Sequence, residues 1–325
     1  MSYQLKKTRS EATQPKASSS EEQEKINEVR GLLGNMTEEM PSFLTDTTIR
    51  RFLRARNWST VEATKGLKET VKWRRVYRPD AICWDDIAEK EHQARRMRVA
   101  DYVDKNGRSV LVANMSIKPN VSAKEQIKNM VHVLEYLATN PGEQLDGYVV
   151  WLVDFRGWSI SSSPLSLTRE SMHIIQNYYP GVIGVAIAFD PPKIFESFWK
   201  IAKHFLQPYM KDRVKFVYAN NLESKKIIAD VFDLDKLEAS FGGRSTSTAF
   251  DFNKYEERMR KGHQMRGAAK LQMATALPNH DGIQVIPYEP YMNLAEEVDG
   301  DKNDLVCPTT KSGSPKHPNL HLPAS

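Results

Sequence analysis

Two short runs restrict the fold of this chain more than any other feature. Tyr148-Val-Val-Trp-Leu-Val-Asp154 and Ile183-Gly-Val-Ala-Ile-Ala-Phe189 are apolar at almost every position. A strand with one face in water alternates apolar and polar residues; a run without that alternation reads as a strand covered on both faces. Between them, Leu165 to Tyr179 has helical spacing. Parallel strands need such a crossover, because a tight turn cannot join them.

Strand and helix signals continue on either side of these runs. Arg98–Val103 and Ser109–Met115 flank Asp104-Lys-Asn-Gly107, and the Asn-Gly pair predicts a hairpin. Ala123–Ala138 and Leu222–Phe232 have helical spacing, and Val214–Ala219 reads as a further strand. The expected fold class is therefore α/β, a mostly parallel sheet with helices on its faces. Before it, Glu22–Leu33 and two segments capped by Thr45 or Asp46 and by Ser59 predict an all-helical region ending near Pro79. The expected organisation is an unstructured 1–21, helices over 22–80, the α/β domain over 81–250, a basic helix over 251–276, and an unstructured tail over 277–325. Seven of the 17 prolines lie in that tail.

Pro191 to Tyr209 follows the second apolar run. Two prolines suit the opening turn of a helix, which leaves its N–H groups unpaired anyway. Ile194, Phe195, Phe198, Trp199, Ile201, Ala202, Phe205 and Leu206 then cover an unusually wide apolar face, with Lys193, Lys200, Lys203 and His204 beside it. Such a helix can close an apolar cavity or touch a membrane. The pattern equally fits a core helix with a solvated basic edge.

Composition excludes several classes. The net charge of +5 lacks the concentrated basic stripe of a nucleic-acid binder and suits anionic membrane surfaces or phosphorylated ligands. Cys83 and Cys307 make no disulfide framework and no zinc spacing. No apolar run approaches the roughly 20 residues that cross a bilayer, and the first residues lack a secretory core. The expectation is a cytoplasmic monomer with peripheral, transient membrane contact.

Signs of catalysis are sparse. The eight histidines are scattered, and His317 and His321 share only the prolyl tail, so no metal site is expected. Gly181-Val-Ile-Gly184 precedes a strand, whereas a phosphate-cradling turn follows one. There is no P-loop and no nucleophile elbow. Asp154 and Asp190 end buried strands, where acid–base work and a structural turn are both open readings. Ser159, Ser161, Ser162 and Ser163 form a loop that either binds a polar head group or is simply solvated. Arg50, Arg51, Arg54 and Arg56 form either a solvated basic face or a phosphate site.

Six strings, in order, resemble the CRAL-TRIO lipid-binding family. They are Arg51-Phe-Leu-Arg-Ala-Arg56-Asn-Trp58 with Lys72-Trp-Arg-Arg75, the Asp104–Arg108 hairpin, Val153-Asp-Phe-Arg-Gly157, Gln176-Asn-Tyr-Tyr-Pro180, Pro191-Pro192 with the helix after it, and Phe241-Gly-Gly243. The branch most resembled is the yeast-type phosphatidylinositol/phosphatidylcholine exchange proteins and their single-domain plant relatives. The resemblance implies a non-enzymatic protein without a cofactor. It would hold one phospholipid in an apolar cavity and pass it between membranes, possible presentation to lipid kinases included. It implies a gate helix carrying Lys193, Phe195, Phe198, Trp199, Ala202, Phe205 and Leu206, with Gly242 and Gly243 in its hinge. It also implies head-group contacts from Ser159 and Ser161 for phosphatidylcholine, and from Arg51, Asp190 and Lys225, with Asn221 or Ser224 nearby, for the inositol phosphate. Asn57 departs from the family's basic residue there. That departure keeps open an alternative, a carrier of a tocopherol, retinoid or sterol-like ligand.

Overall fold

The computed structural model describes residues 19–87, 89–118, 120–139, 149–245 and 250–276. The expected unstructured ends therefore lie outside the described residues, except that Ser19 to Glu21 already belong to the first helix. Helices α1 (Ser19–Leu33), α2 (Met36–Glu39), α3 (Asp46–Ala55) and α4 (Thr60–Tyr77) come first. Thr45 caps α3 by accepting from the Thr48 N–H at 3.3 Å, and Ser59 caps α4 by accepting from Glu62 at 3.3 Å. Ile26, Val29, Ile49, Phe52, Leu53, Leu67 and Val71 are buried among themselves, so this region has a core of its own.

After two 3-10 turns and α5 (Glu89–Ala94), the chain enters a five-stranded sheet. Its strands are β1 (Met97–Val103), β2 (Ser109–Asn114), β3 (Val149–Asp154), β4 (Ile183–Phe189) and β5 (Val214–Val217), arranged in sequence order. Only β1 and β2 pair antiparallel. Their hairpin turns at Gly107, whose φ of 76° suits glycine. Buried Asp104 holds the turn by accepting from the backbone N–H of Asn106 and Arg108 and from the Arg108 side chain.

Both faces of the sheet are covered, as the apolar runs require. One face meets α6 (Ala123–Thr139) and α7 (Leu165–Asn177). On the other, Val110, Val150, Leu152, Ile187 and Val217 pack on Ile228 and Val231 of α10 (Leu222–Val231). The last described helix, α11 (Phe252–Ala276), buries Tyr255 and Met259. Its Arg258 donates to the carbonyls of Val99 (2.5 Å) and Ala100 (3.0 Å) in edge strand β1. A cation there occupies acceptors that an edge strand would otherwise offer to another chain.

The helical region is joined to the sheet domain by a buried ion pair. Arg74 of α4 donates from Nη1 and Nη2 to the two Glu135 carboxylate oxygens of α6 at 2.6 and 3.0 Å. The Tyr179 hydroxyl adds a third hydrogen bond to Glu135 at 2.8 Å.

The segment after β4 differs from the expected single helix. Pro191 and Pro192 do not occupy its first turn; the Phe195 N–H bonds the Pro192 carbonyl at 2.8 Å, a separate turn, and helix α8 spans Phe195–Ala202. A 3-10 turn, Lys203–Phe205, follows, then α9 (Pro208–Lys211). Lys193 therefore precedes the helix, and Phe205 and Leu206 follow it. The break has a local cause. The side chain of Gln176 on α7 donates to the Phe205 carbonyl (2.9 Å) and accepts from the Gln207 N–H (2.5 Å), consuming backbone groups a longer helix would pair.

Candidate functional site, a lipid-sized cleft beneath a helix

Strand order decides where a ligand can sit. Open α/β sheets bind ligands at the strand ends where the order reverses. Here β2 to β5 run parallel without a reversal. The space lies instead over one face of the sheet. Side chains of β2 to β5 that point to this face include small ones, Ala113, Ala186 and Ala188, beside Trp151, Val153, Val214 and Phe216. Small residues leave room between sheet and helices. The result is a cavity of about 180 Å³ closed by α7 and α8.

Helix α8 is the outer wall. Phe195, Phe198, Trp199 and Ala202 line the cavity, and Leu206 continues the lining beyond the helix. Phe205 does not line it. Aromatic contacts fix the helix over the sheet: Phe195 lies 4.3 Å from Phe155 and 5.1 Å from Trp158, Phe198 lies 5.0 Å from Trp158, and Trp199 lies 5.3 Å from Phe216 (ring centroids). The outer side carries Ile194 and Ile201, 55% and 52% exposed, next to the exposed Lys193, Lys200, Lys203 and His204. The helix also exposes Glu196 and Ser197, so its outer side is mixed, with the two exposed isoleucines at its ends.

Five methionines, Met97, Met115, Met130, Met172 and Met210, contribute to the lining. Their unbranched thioethers adapt to irregular ligands better than branched side chains do. Polar lining is sparse: Arg96, Gln126, Ser163, Thr168 and Ser171. The Ser163 hydroxyl accepts from the Trp158 indole N–H at 3.0 Å. The indole N–H of Trp151 is buried without a hydrogen-bond partner among the described residues.

The residues singled out in the sequence fall into three places. Ser159 and Ser161, whose hydroxyls are 3.0 Å apart, sit in the loop after β3, flanking the lining residues Trp158 and Ser163. Asp190, Asn221, Ser224 and Lys225 gather where β4 and β5 end and α10 begins. Asp190 adopts φ 48°, a conformation Asp tolerates better than most residues, and its carboxylate accepts from the Ala219 N–H at 3.2 Å. Asn221 caps α10 through the Ser224 N–H (3.0 Å), and the Ser224 hydroxyl bonds both backbone groups of Tyr218. Those two side chains are occupied with the turn, whereas Lys225 is exposed.

Arg51 is elsewhere. It is 6% exposed, donates to the Thr48 hydroxyl at 3.2 Å, and lies against Gly181, just before β4 begins. Asp190 follows the other end of β4, a strand length of roughly 20 Å away. Arg51 and Asp190 therefore cannot grip one phosphate. Gly243 lies against Leu237, which with Phe241 belongs to the core on the α10 face of the sheet, opposite the cavity. Glycine permits close packing at Gly243. Asn57 has a backbone reason: its φ is 55°, which Asn accommodates more readily than a long basic residue. Sequence reading missed Arg96 and Gln126, which look like ordinary members of a basic run and a helix face.

Comparison with known proteins accords with this geometry. Residues 96–243 match the CRAL/TRIO domain. The SEC14 cytosolic factor of Candida glabrata is 30% identical over 224 residues, covering 62% of this chain and 72% of that protein. The phosphatidylinositol transfer protein PDR17 of Saccharomyces cerevisiae is 24% identical over 194 residues, 55% of each chain. The crystal structure of Sfh5 superposes with a TM-score of 0.58 over 79% of this chain and 99% of its own, at 14% identity, a likeness of fold. With its helical region, sequence-ordered sheet and helix-covered cavity, this chain belongs to the CRAL/TRIO domain family.

Proposed function

We propose that this protein binds one phospholipid and exchanges it between membranes, with phosphatidylinositol and phosphatidylcholine as its ligands. The observation that carries this reading is the apolar cavity under α8, which faces the cavity on one side and, with the residues flanking it, exposes Ile194 and Ile201 near Lys193, Lys200 and Lys203 on the other. About 180 Å³ lies below the roughly 300–1,000 Å³ of ordinary ligand pockets, so two acyl chains require α8 to move outward. In an interface the exposed Ile194 and Ile201 have apolar neighbours and the lysines have anionic ones, which favours the outward position at a membrane. Burial contributes about 0.8 kcal/mol per methylene on either side of the exchange. Net transfer then depends on head-group contacts and on how easily α8 moves.

The name of one relative, a phosphatidylinositol transfer protein, favours phospholipid over a small isoprenoid or sterol carrier. No described helix is long and apolar enough to cross a membrane, and contact through α8 is peripheral in this reading. Presentation of phosphatidylinositol to a lipid kinase is the downstream use it suggests.

Transfer of labelled phosphatidylcholine and phosphatidylinositol between vesicles tests the proposal directly, together with native mass spectrometry of lipid retained on purification. A bound isoprenoid without phospholipid would refute it. Phe198→Asp is expected to slow transfer of both lipids at least about tenfold, because a carboxylate in the apolar lining must be desolvated. A rate equal to that of the unaltered chain would show that α8 is not the gate. Lys225→Ala is expected to lower phosphatidylinositol transfer and spare phosphatidylcholine, given the exposed ammonium beside the turn at Asp190. Equal loss of both would remove Lys225 from inositol recognition.

A further inference from the structure

The cavity lining contains a single Lys or Arg among the described residues, Arg96. It precedes β1, and its carbonyl accepts from the Asn114 N–H at 2.8 Å at the end of β2. Its guanidinium donates to the neutral side-chain oxygen of Gln126 at 2.7 Å. Among the described residues no carboxylate pairs with it; Glu91, whose charge acts on it, is itself hydrogen-bonded by Asn129 at 3.0 Å. Desolvation dominates, and lowers the tendency of this guanidinium to hold its proton, with Glu91 opposing. A cation in such a place costs stability unless something anionic meets it.

Its location suggests what meets it. Asn114 pairs with Asp154 in the neighbouring strand, so Arg96 stands at the same end of the sheet as the loop carrying Ser159 and Ser161. Two strand spacings, about 10 Å, separate β1 from β3. The loops leaving β2 and β3 touch: a side-chain carbon on Gly157 would stand 3.2 Å from Cβ of Ser116. One molecule can therefore have acyl chains over the sheet and a head group reaching both Arg96 and the serine loop. A guanidinium fork matches two oxygens of a phosphate.

We propose that Arg96, aimed by Gln126, is the counter-cation of the phosphodiester of the bound phospholipid. This rests on the phospholipid reading above and adds the group that neutralises the phosphate. The phosphodiester is common to phosphatidylcholine and phosphatidylinositol, so Arg96 serves both, unlike Lys225. Gln126 is a positioning residue, 92% buried by its 8% exposure, and its amide nitrogen reaches the Val121 carbonyl at 3.4 Å.

The test uses the full chain and its Arg96→Met and Arg96→Lys variants, each checked for a melting temperature no lower than that of the unaltered chain. Uptake from vesicles is measured for four tail-labelled probes: phosphatidylcholine, phosphatidylinositol, diacylglycerol and a free fatty acid. Arg96→Met is expected to lose affinity for both phospholipids by roughly tenfold to a hundredfold, as expected for a charged hydrogen bond. Diacylglycerol, which lacks the phosphate, is expected to be unaffected, and Arg96→Lys to restore part of the loss. Equal loss of phospholipid and diacylglycerol would overturn the proposal, since Arg96 would then only shape the cavity. Loss confined to the fatty acid would overturn it in favour of a carboxylate site. If the unaltered chain takes up phospholipid and Arg96→Met does so equally well, the assignment to Arg96 fails alone. If the unaltered chain takes up none, the phospholipid reading fails, and this inference with it.

Discussion

Arg74→Met is expected to destabilise the folded chain by about 3–5 kcal/mol, the range for stripping one partner from a buried ion pair. Arg74 and Glu135 side chains are 8% and 3% exposed, and among the described residues Tyr179 would remain to hydrogen-bond the orphaned carboxylate. Denaturant unfolding followed by circular dichroism measures the loss. Glu135→Met added to Arg74→Met is expected to recover much of it, because the uncompensated charge is then gone. A single variant as stable as the unaltered chain would mean the pair contributes nothing.

The same pair sets an acid limit. Burial opposes the Glu135 charge, but the field of Arg74 and the hydrogen bonds from Arg74 and Tyr179 outweigh it and hold the carboxyl below its usual 4.5. A depressed carboxylate contributes stability above its unfolded pKa and loses that contribution as pH falls through the folded value. Stability should therefore fall on acidification below about pH 4.5. Glu135→Gln should be less stable at neutral pH and should lose less on acidification.

Gly243→Ala is the other large expected effect, about 3 kcal/mol, at the upper end for overpacking a tight site. An added Cβ would stand 2.0 Å from the Leu237 carbonyl oxygen and 2.4 Å from its carbon. These are backbone atoms, so no rotamer change relieves the clash. Moving them would disturb the hydrogen bonds from Gly243 to Glu238 (3.1 Å) and from Ser245 to Leu237 (3.1 Å). Gly242→Ala is the control: no atom lies within 4 Å, and only its φ of 88° opposes a side chain, at about 1–2 kcal/mol. Unfolding midpoints should rank the unaltered chain above Gly242→Ala and Gly242→Ala above Gly243→Ala. The reverse order of the two variants would show that close approach does not govern this turn.

Much of the fold was legible because it depends on local pattern. The apolar runs of β3 and β4 meet side chains on both faces, as a strand without apolar–polar alternation requires. Thr45, Ser59 and Asn221 cap their helices, and Asn106-Gly107 makes its turn, through contacts with residues two to four positions away. The start of α8 was misplaced because Pro191 and Pro192 have two local solutions, a first helical turn or a separate turn before it. Its end depends on Gln176, a residue of another helix.

The candidate site was legible in its apolar half only. Phe195, Phe198, Trp199 and Ala202 follow from helical spacing, and all four line the cavity. Its charges did not follow the same logic. Arg51 and Arg96 both read as members of basic runs, and nothing in their neighbours distinguishes them. One is packed beside Gly181, before β4, and the other lines the cavity with Gln126 beside it.

The amino-acid sequence by itself determined the strands, the larger helices with the Thr45 and Ser59 caps, the two-sided burial of the sheet and the apolar inner face of α8. These follow from periodicity and from hydrogen bonds between near neighbours. Only the tertiary structure decided that the sheet lacks a switch point, that small residues of β2 and β4 leave a cavity beneath α8, and that Arg96 is the cation facing it. Those outcomes depend on strand order and on side chains distant in the chain. An arginine has the same local preferences whether it ends in water or in a lipid cavity; only its distant neighbours decide between them.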